Sequence, residues 1–195
     1  MTAEDWTLLT DYCNAHDAEG VRRLIKEKDA IHDISRSGES VLQYVALTPL
    51  GNDFDLMFEL GGGTENIDLN GGSNGLSALH YCAACLHPNG VLALLMLGAA
   101  VNEPTQPRNN WRSGRTPLFL VVDTLADVQR HEARGATNSY IDHANARGCL
   151  QNVASDAKLG RMSEEYSAYF ERFRPTIRGA QQCCRQPLER MLDCA

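Results

Sequence analysis

The stretch His80-Tyr-Cys-Ala-Ala-Cys-Leu-His87 sets two imidazoles and two thiols within eight residues. Those groups are zinc ligands, and Cys82 and Cys85 have the Cys-x-x-Cys spacing of a dithiol redox pair. A helix through the stretch would separate them. At about 100° per residue, His80 and His87 share one side while Cys82 and Cys85 face the other, so the four do not converge on one ion. A thioredoxin-like pair would follow a strand in βαβ surroundings, which the flanking sequence lacks. The plainer alternative is packing, since free cysteine behaves as a small hydrophobe.

Other candidate chemistry is thin. The chain contains no Gly-x-Ser-x-Gly, His-Glu-x-x-His, P-loop or Gly-x-Gly-x-x-Gly. Gly61, Gly62 and Gly63 are followed by no lysine and read as a helix C-cap opening a loop. Cys183 and Cys184 are adjacent and diverge on a helix. Asp17, Asp29, Asp33, Asp53 and Asp55 form a loose acidic set, but Asp17 and Asp53 stand where a carboxylate caps a helix. No nucleophile, base and orienting group assemble, so the expectation is a non-enzyme with no catalytic residue, no cofactor and no metal.

With 195 residues, 43% of them hydrophobic, the chain can bury a core without staples. Its net charge is −7 and no run of like charges occurs, which argues against nucleic acid as a partner. The longest apolar run, 91–101, is about half of a bilayer crossing, and the acidic start MTAEDW resembles no leader. Seven scattered cysteines, an odd number, suit a reducing compartment. The expectation is a soluble cytoplasmic protein, with the nucleus also open, and no membrane or small-molecule partner.

The elements that hold these residues come from an internal repeat. Gly38, Ser40 and Leu42 align with Gly75, Ser77 and Leu79 and with Gly114, Thr116 and Leu118, each opening an apolar segment. Leu9 falls one period earlier. After these anchors come the triplets Val21/Leu24/Ile25, Phe54/Met57/Phe58 and Val91/Leu94/Leu95, the i, i+3, i+4 stripe of a second helix. Each unit is two short helices and a connecting loop.

On these residues the chain resembles the ankyrin-repeat family. GLSALH and GRTPLF match its Gly-x-Thr-Pro-Leu-His start, and LLMLGAAVN at 94–102 matches the end of its second helix. Val41 and Ala78 replace the family's Pro, and Gln43 its His. The resemblance implies an all-α solenoid of helix-turn-helix repeats with β-hairpin fingers, over residues 1–160. Its units lie near 5–33, 36–70, 73–105 and 112–160, with enlarged fingers at 61–74 and 103–113. It makes His80 a side chain bonded to loop backbone. The fourth unit loses register after Asp123. Tyr166, Tyr169, Phe170 and Phe173 form an aromatic stripe behind the N-cap Ser163, so 161–195 is a divergent helical cap or a docking tail.

The implied function is recognition of a protein partner on the concave finger and first-helix surface. The positions indicated are Arg36, Glu39, Asn74, Leu76, Cys85, Trp111, Arg112, Arg115 and Asp123. Trp111, flanked by Arg108, Arg112 and Arg115 in a polar insertion, has hot-spot composition, or else folds back on a neighbouring finger. The alternative function is a structural subunit docked through the C-terminal tail; a weaker one reads RQPLERMLDCA as a ubiquitin-ligase recruiting box.

Overall fold

A computed structural model describes residues 1–64, 67–68, 75–106 and 114–132, together with positions 145 and 149; for 125–132 it describes the helical backbone alone. Asn74, Trp111, Arg112, most of both expected enlarged fingers, the rest of the fourth unit and the segment 161–195 with its aromatic stripe lie outside the described residues.

Among the described residues the regular structure is helical: α1 (Ala3–Asn14), α2 (Ala18–Lys28), α3 (Val41–Leu47), a 3-10 turn (Pro49–Asn52), α4 (Phe54–Gly63), α5 (Ala78–Ala84), α6 (Pro88–Met96) and α7 (Pro117–Glu132). Helices α1 to α5 each start on a side-chain cap, while α6 and the 3-10 turn start on a proline without one. Helix N-termini leave backbone N–H groups unpaired, and a short polar side chain at the N-cap accepts from them. Thr2, Ser40 and Ser77 do so in reciprocal capping boxes with Asp5, Gln43 and His80. Asp17 accepts from Gly20 N at 2.8 Å and Asp53 from Leu56 N at 2.9 Å, as the capping reading expects. Asp5 also pairs with Lys28 at 2.9 Å, tying α1 to α2; the Thr2 backbone N–H, then Lys28, hold its carboxyl down at about 2.

The helices pack in pairs, α1 on α2, α3 on α4 with the 3-10 turn between, and α5 on α6. The pairs stack: α3 against α5, α5 against α7, and α4 against α6. The anchors Leu9, Leu42, Leu79 and Leu118 are all buried, as are Val21/Leu24/Ile25 and Val91/Leu94/Leu95. The middle triplet behaves differently. In α4 the core takes Leu56, Met57 and Leu60, while Phe54 and Phe58 stack on each other at 5.7 Å with Phe58 39% exposed. Apolar residues surround α4 on several faces, so its spacing alone did not select the buried one.

The aligned glycines share a backbone conformation. Gly38, Gly75 and Gly114 have φ of 92°, 63° and 69°, where a side chain is strained. No atom would crowd a Cβ at Gly114, so the requirement there is conformational alone. Ahead of Gly38 the chain turns back on itself: Ile34 and Ser40 form an isolated antiparallel bridge, and Ser35 N donates to Glu39 O at 2.7 Å. Ahead of α7, Thr105 N donates to Arg115 O at 2.8 Å and Gly114 N to Thr105 O at 3.1 Å. Among the described residues no strand longer than one bridge occurs.

One expectation needs correction. Gly61, Gly62 and Gly63 end α4 as its last turn, but the C-cap is Thr64 and none of the three has positive φ. They make room: a Cβ on Gly61 would meet Leu97 Cδ1 at 2.6 Å, and one on Gly63 would strike Ile31. Helix α7 runs past Asp123, where register is lost, to Glu132, since no Gly or Pro interrupts 118–132. No described helix is long and apolar enough to cross a membrane.

Gly90 has its own constraint. A Cβ there would fall against the Gly51 carbonyl oxygen and 2.9 Å from Cys82 Sγ, so α6 and the 3-10 turn meet backbone to backbone. Gly90→Ala is expected to destabilise the protein by about 1–3 kcal/mol. Gly62→Ala, whose Cβ would sit 3.8 Å from Leu97 Cδ2 on a solvent-facing position, is expected to stabilise it by about 0.5–1 kcal/mol. Thermal unfolding followed by circular dichroism gives both signs; a neutral Gly90→Ala would contradict the close approach.

Candidate functional site

The two cysteines and two histidines at 80–87 are separated by packing. His80 and Cys82 lie in α5, Cys85 is its C-cap and His87 the N-cap of α6. The His80 ring is fully buried, with Nδ1 2.7 Å from Ser77 Oγ and 3.2 Å from Ser77 N, and Nε2 3.2 Å from Arg115 O. Nδ1 therefore accepts, and the ring proton sits on Nε2 where a carbonyl receives it. Cys82 turns the opposite way, its thiol donating to Gly51 O at 3.8 Å. Cys85 donates to Leu47 O at 3.7 Å.

Those directions answer what the motif does. His80 points toward the loop ahead of α7, while both thiols point back to the preceding pair, at the free carbonyl ends of α3 and the 3-10 turn. The same contact recurs one step on, where Thr124 Oγ1 donates to Ala84 O at 3.1 Å. Burial raises the Cys82 thiol well above its usual value, with Cys85 and Cys149 adding to the shift, so Cys82 stays a thiol rather than a nucleophilic thiolate. Among the described residues no three His, Cys, Asp or Glu side chains gather to hold a metal ion.

The nine positions expected to contact a partner divide by accessibility. Arg36 is exposed in the turn between the Ile34–Ser40 bridge residues, and Cys85, Arg115 and Asp123 are half-buried. Asp123 precedes Thr124, whose hydroxyl donates to the carbonyl of Ala84, the residue before Cys85. The Arg115 guanidinium lies 3.6 Å over the Phe119 ring. Glu39 and Leu76 are turned inward. Leu76 is 0% exposed, and Glu39, at 8%, accepts from the Ser35 hydroxyl at 2.8 Å and from the Ser37 hydroxyl. Their side chains hold the loops, because a helix N-terminus needs its leading loop sealed against the core. Asn74, Trp111 and Arg112 are outside the described residues.

Leu47 was missed by sequence reading. It ends α3 at the helix position Ala84 holds in α5, is 49% exposed, and lies beside Cys85 through its carbonyl. Tyr44 is also on this helix, edge-on to Trp6 at 5.5 Å, with its hydroxyl 2.7 Å from Thr10 Oγ1. Spacing from the leucine anchors could have located both, but their neighbours decide exposure: Tyr81, at the matching position of α5, is buried where Tyr44 is half-exposed. No protein-family model and no curated protein sequence matches this chain.

Burial pushes His80 from 6.5 down to about 4, against the pull of its bonds with the Glu103 and Arg115 backbone, and burial pushes His87 to about 4 as well. The folded rings stay neutral where the unfolded chain takes up protons. Stability is therefore full above pH 6.5 and falls toward pH 4, with His80 accounting for up to about 3 kcal/mol. Gln43 fills the same role in α3, so His80→Gln is expected to preserve folding at pH 7 and to reduce the loss between pH 6.5 and 4 by roughly half. Urea unfolding across this pH range measures both slopes; identical slopes would assign the acid sensitivity elsewhere.

Proposed function

We propose that the chain is an ankyrin-type array serving as a non-enzymatic protein-binding module, with the finger and first-helix side as its contact surface. The observation that carries this reading is the recurrence of one contact. The third side chain of a first helix caps its own helix and bonds the loop carbonyl ahead of the next one, as Gln43 Nε2 to Leu76 O at 2.8 Å and His80 Nε2 to Arg115 O at 3.2 Å. The left-handed glycines Gly38, Gly75 and Gly114, at matched positions, support the same register. Stacked units of this kind create an extended surface on which recognition is grafted.

On that surface the contact set is Arg36, Cys85, Arg115 and Asp123, with Leu47 added, and the fingers contribute Asn74, Trp111 and Arg112. Leu76 and Glu39 act behind it, as supports for the loops. Aromatic and arginine side chains dominate binding energy at protein interfaces, which makes Trp111 and its arginine neighbours the proposed centre.

Trp111→Ala is expected to weaken partner binding by more than about 1 kcal/mol while leaving the melting temperature nearly unchanged. Quantitative affinity purification from the native source, comparing wild type with Trp111→Ala/Arg36→Glu, provides the test. Proteins kept by the wild type and lost by the variant support the module and name its partner. The same stoichiometric set on both would reject this surface and favour a subunit docked through 161–195.

A further inference from the structure

We infer that the groove between α2 and α4 is a second docking site, which takes an acidic segment with a leucine-sized side chain from a protein partner. The groove is open to solvent along one side and offers about 450 Å³, room for a few side chains. Its floor is apolar: Ile25 and Leu60 are buried and Ile31 half-buried. Its α2 wall carries Arg22, Arg23 and Lys26, and Glu19 and Glu59 complete the rim.

The charges on this rim are unevenly matched. Arg22 holds both carboxylates, with Nη1 2.6 Å from Glu19 and Nε 2.8 Å from Glu59. Arg23 rests over the Tyr12 ring at 5.9 Å and donates to the Tyr12 hydroxyl at 3.3 Å, a neutral partner, with Glu27 and Asp17 acting only at longer range. Lys26 has no ion-pair partner among the described residues. The groove is thus lined by three cations against two carboxylates, a net basic rim beside an apolar floor on a chain whose net charge is −7. The rim complements carboxylates, and the floor beside it complements a branched apolar side chain.

The feature belongs to this one place. The positions of Arg22, Arg23 and Lys26 on α2 are taken by Asp55, Leu56 and Glu59 on α4 and by Leu92, Ala93 and Met96 on α6, so helix stacking does not generate the basic rim. The groove lies on second helices, whereas the proposed contact surface belongs to first helices and loops. The two inferences stand or fall separately.

The test is fluorescence anisotropy on the full chain with three labelled hexapeptides, alternating Asp-Leu, alternating Lys-Leu and all-Asp. Saturable binding of the Asp-Leu peptide is expected, at least about tenfold tighter than either control and weakened about tenfold by Arg23→Glu/Lys26→Glu. Lys26→Glu alone breaks no described contact and is expected to weaken binding with an unchanged melting temperature, which separates loss of the site from loss of the fold. Absence of saturable Asp-Leu binding, equal affinity for the all-Asp peptide, or indifference to both variants would overturn the proposal. Binding unaltered in Trp111→Ala/Arg36→Glu would keep this site distinct from the finger surface.

Discussion

The arrangement depends on satisfying the N-termini of short helices. Helices α3 and α5 have seven residues each, too few to be stable alone, and the N–H groups of their first turn lack intrahelical partners. Gln43 and His80 meet that need twice over. Each returns to its N-cap serine and, with its remaining polar atom, reaches a loop that belongs to the next helix. Local capping and long-range cohesion therefore pass through the same side chain, and losing it would leave buried donors and acceptors unpaired on two elements at once.

The opposite ends of these helices are handled by different chemistry. Carbonyls left free at the end of α3 and in the 3-10 turn receive the thiols of Cys85 and Cys82, and the carbonyl of Ala84 receives the Thr124 hydroxyl. Sulfur is a weak donor, so its value there is compactness: it bonds and fills space where Gly90 allows backbones to approach. A motif that looks like metal or redox chemistry is thereby used for stacking. His80 faces forward because its carbonyl partner lies ahead, and the cysteines face back because theirs lie behind.

Outside the stacked core, the second helices differ from one another in chemistry. Helix α2 is net basic, α4 supplies Glu59 as an ion-pair partner to it, and α6 has Leu92 39% and Met96 63% exposed without a charged residue in its span. The Arg22 to Glu59 pair crosses from one helical pair to the next, and at such exposure it contributes about 1 kcal/mol or less. The same guanidinium also holds Glu19, and Lys26 is left without an ion-pair partner among the described residues.

Much of this was legible in the residues themselves. Glycine two before a serine or threonine, leucine two after, and an i, i+3, i+4 triplet later are local signals, because caps, left-handed turns and helical stripes are set by near neighbours. They place the helices, the capping role of Asp17 and Asp53, the buried leucine anchors and the divergence of histidines from cysteines. Tertiary structure decided what depends on atoms far along the chain. It turned Phe58 outward and Leu60 inward on a helix apolar on several faces, buried Leu76 and Glu39 where the family pattern suggested contact, and aimed Cys82 and Cys85 at carbonyls more than thirty residues away. Exposure and hydrogen-bond partners are properties of pairs of elements, and spacing within one element does not contain them.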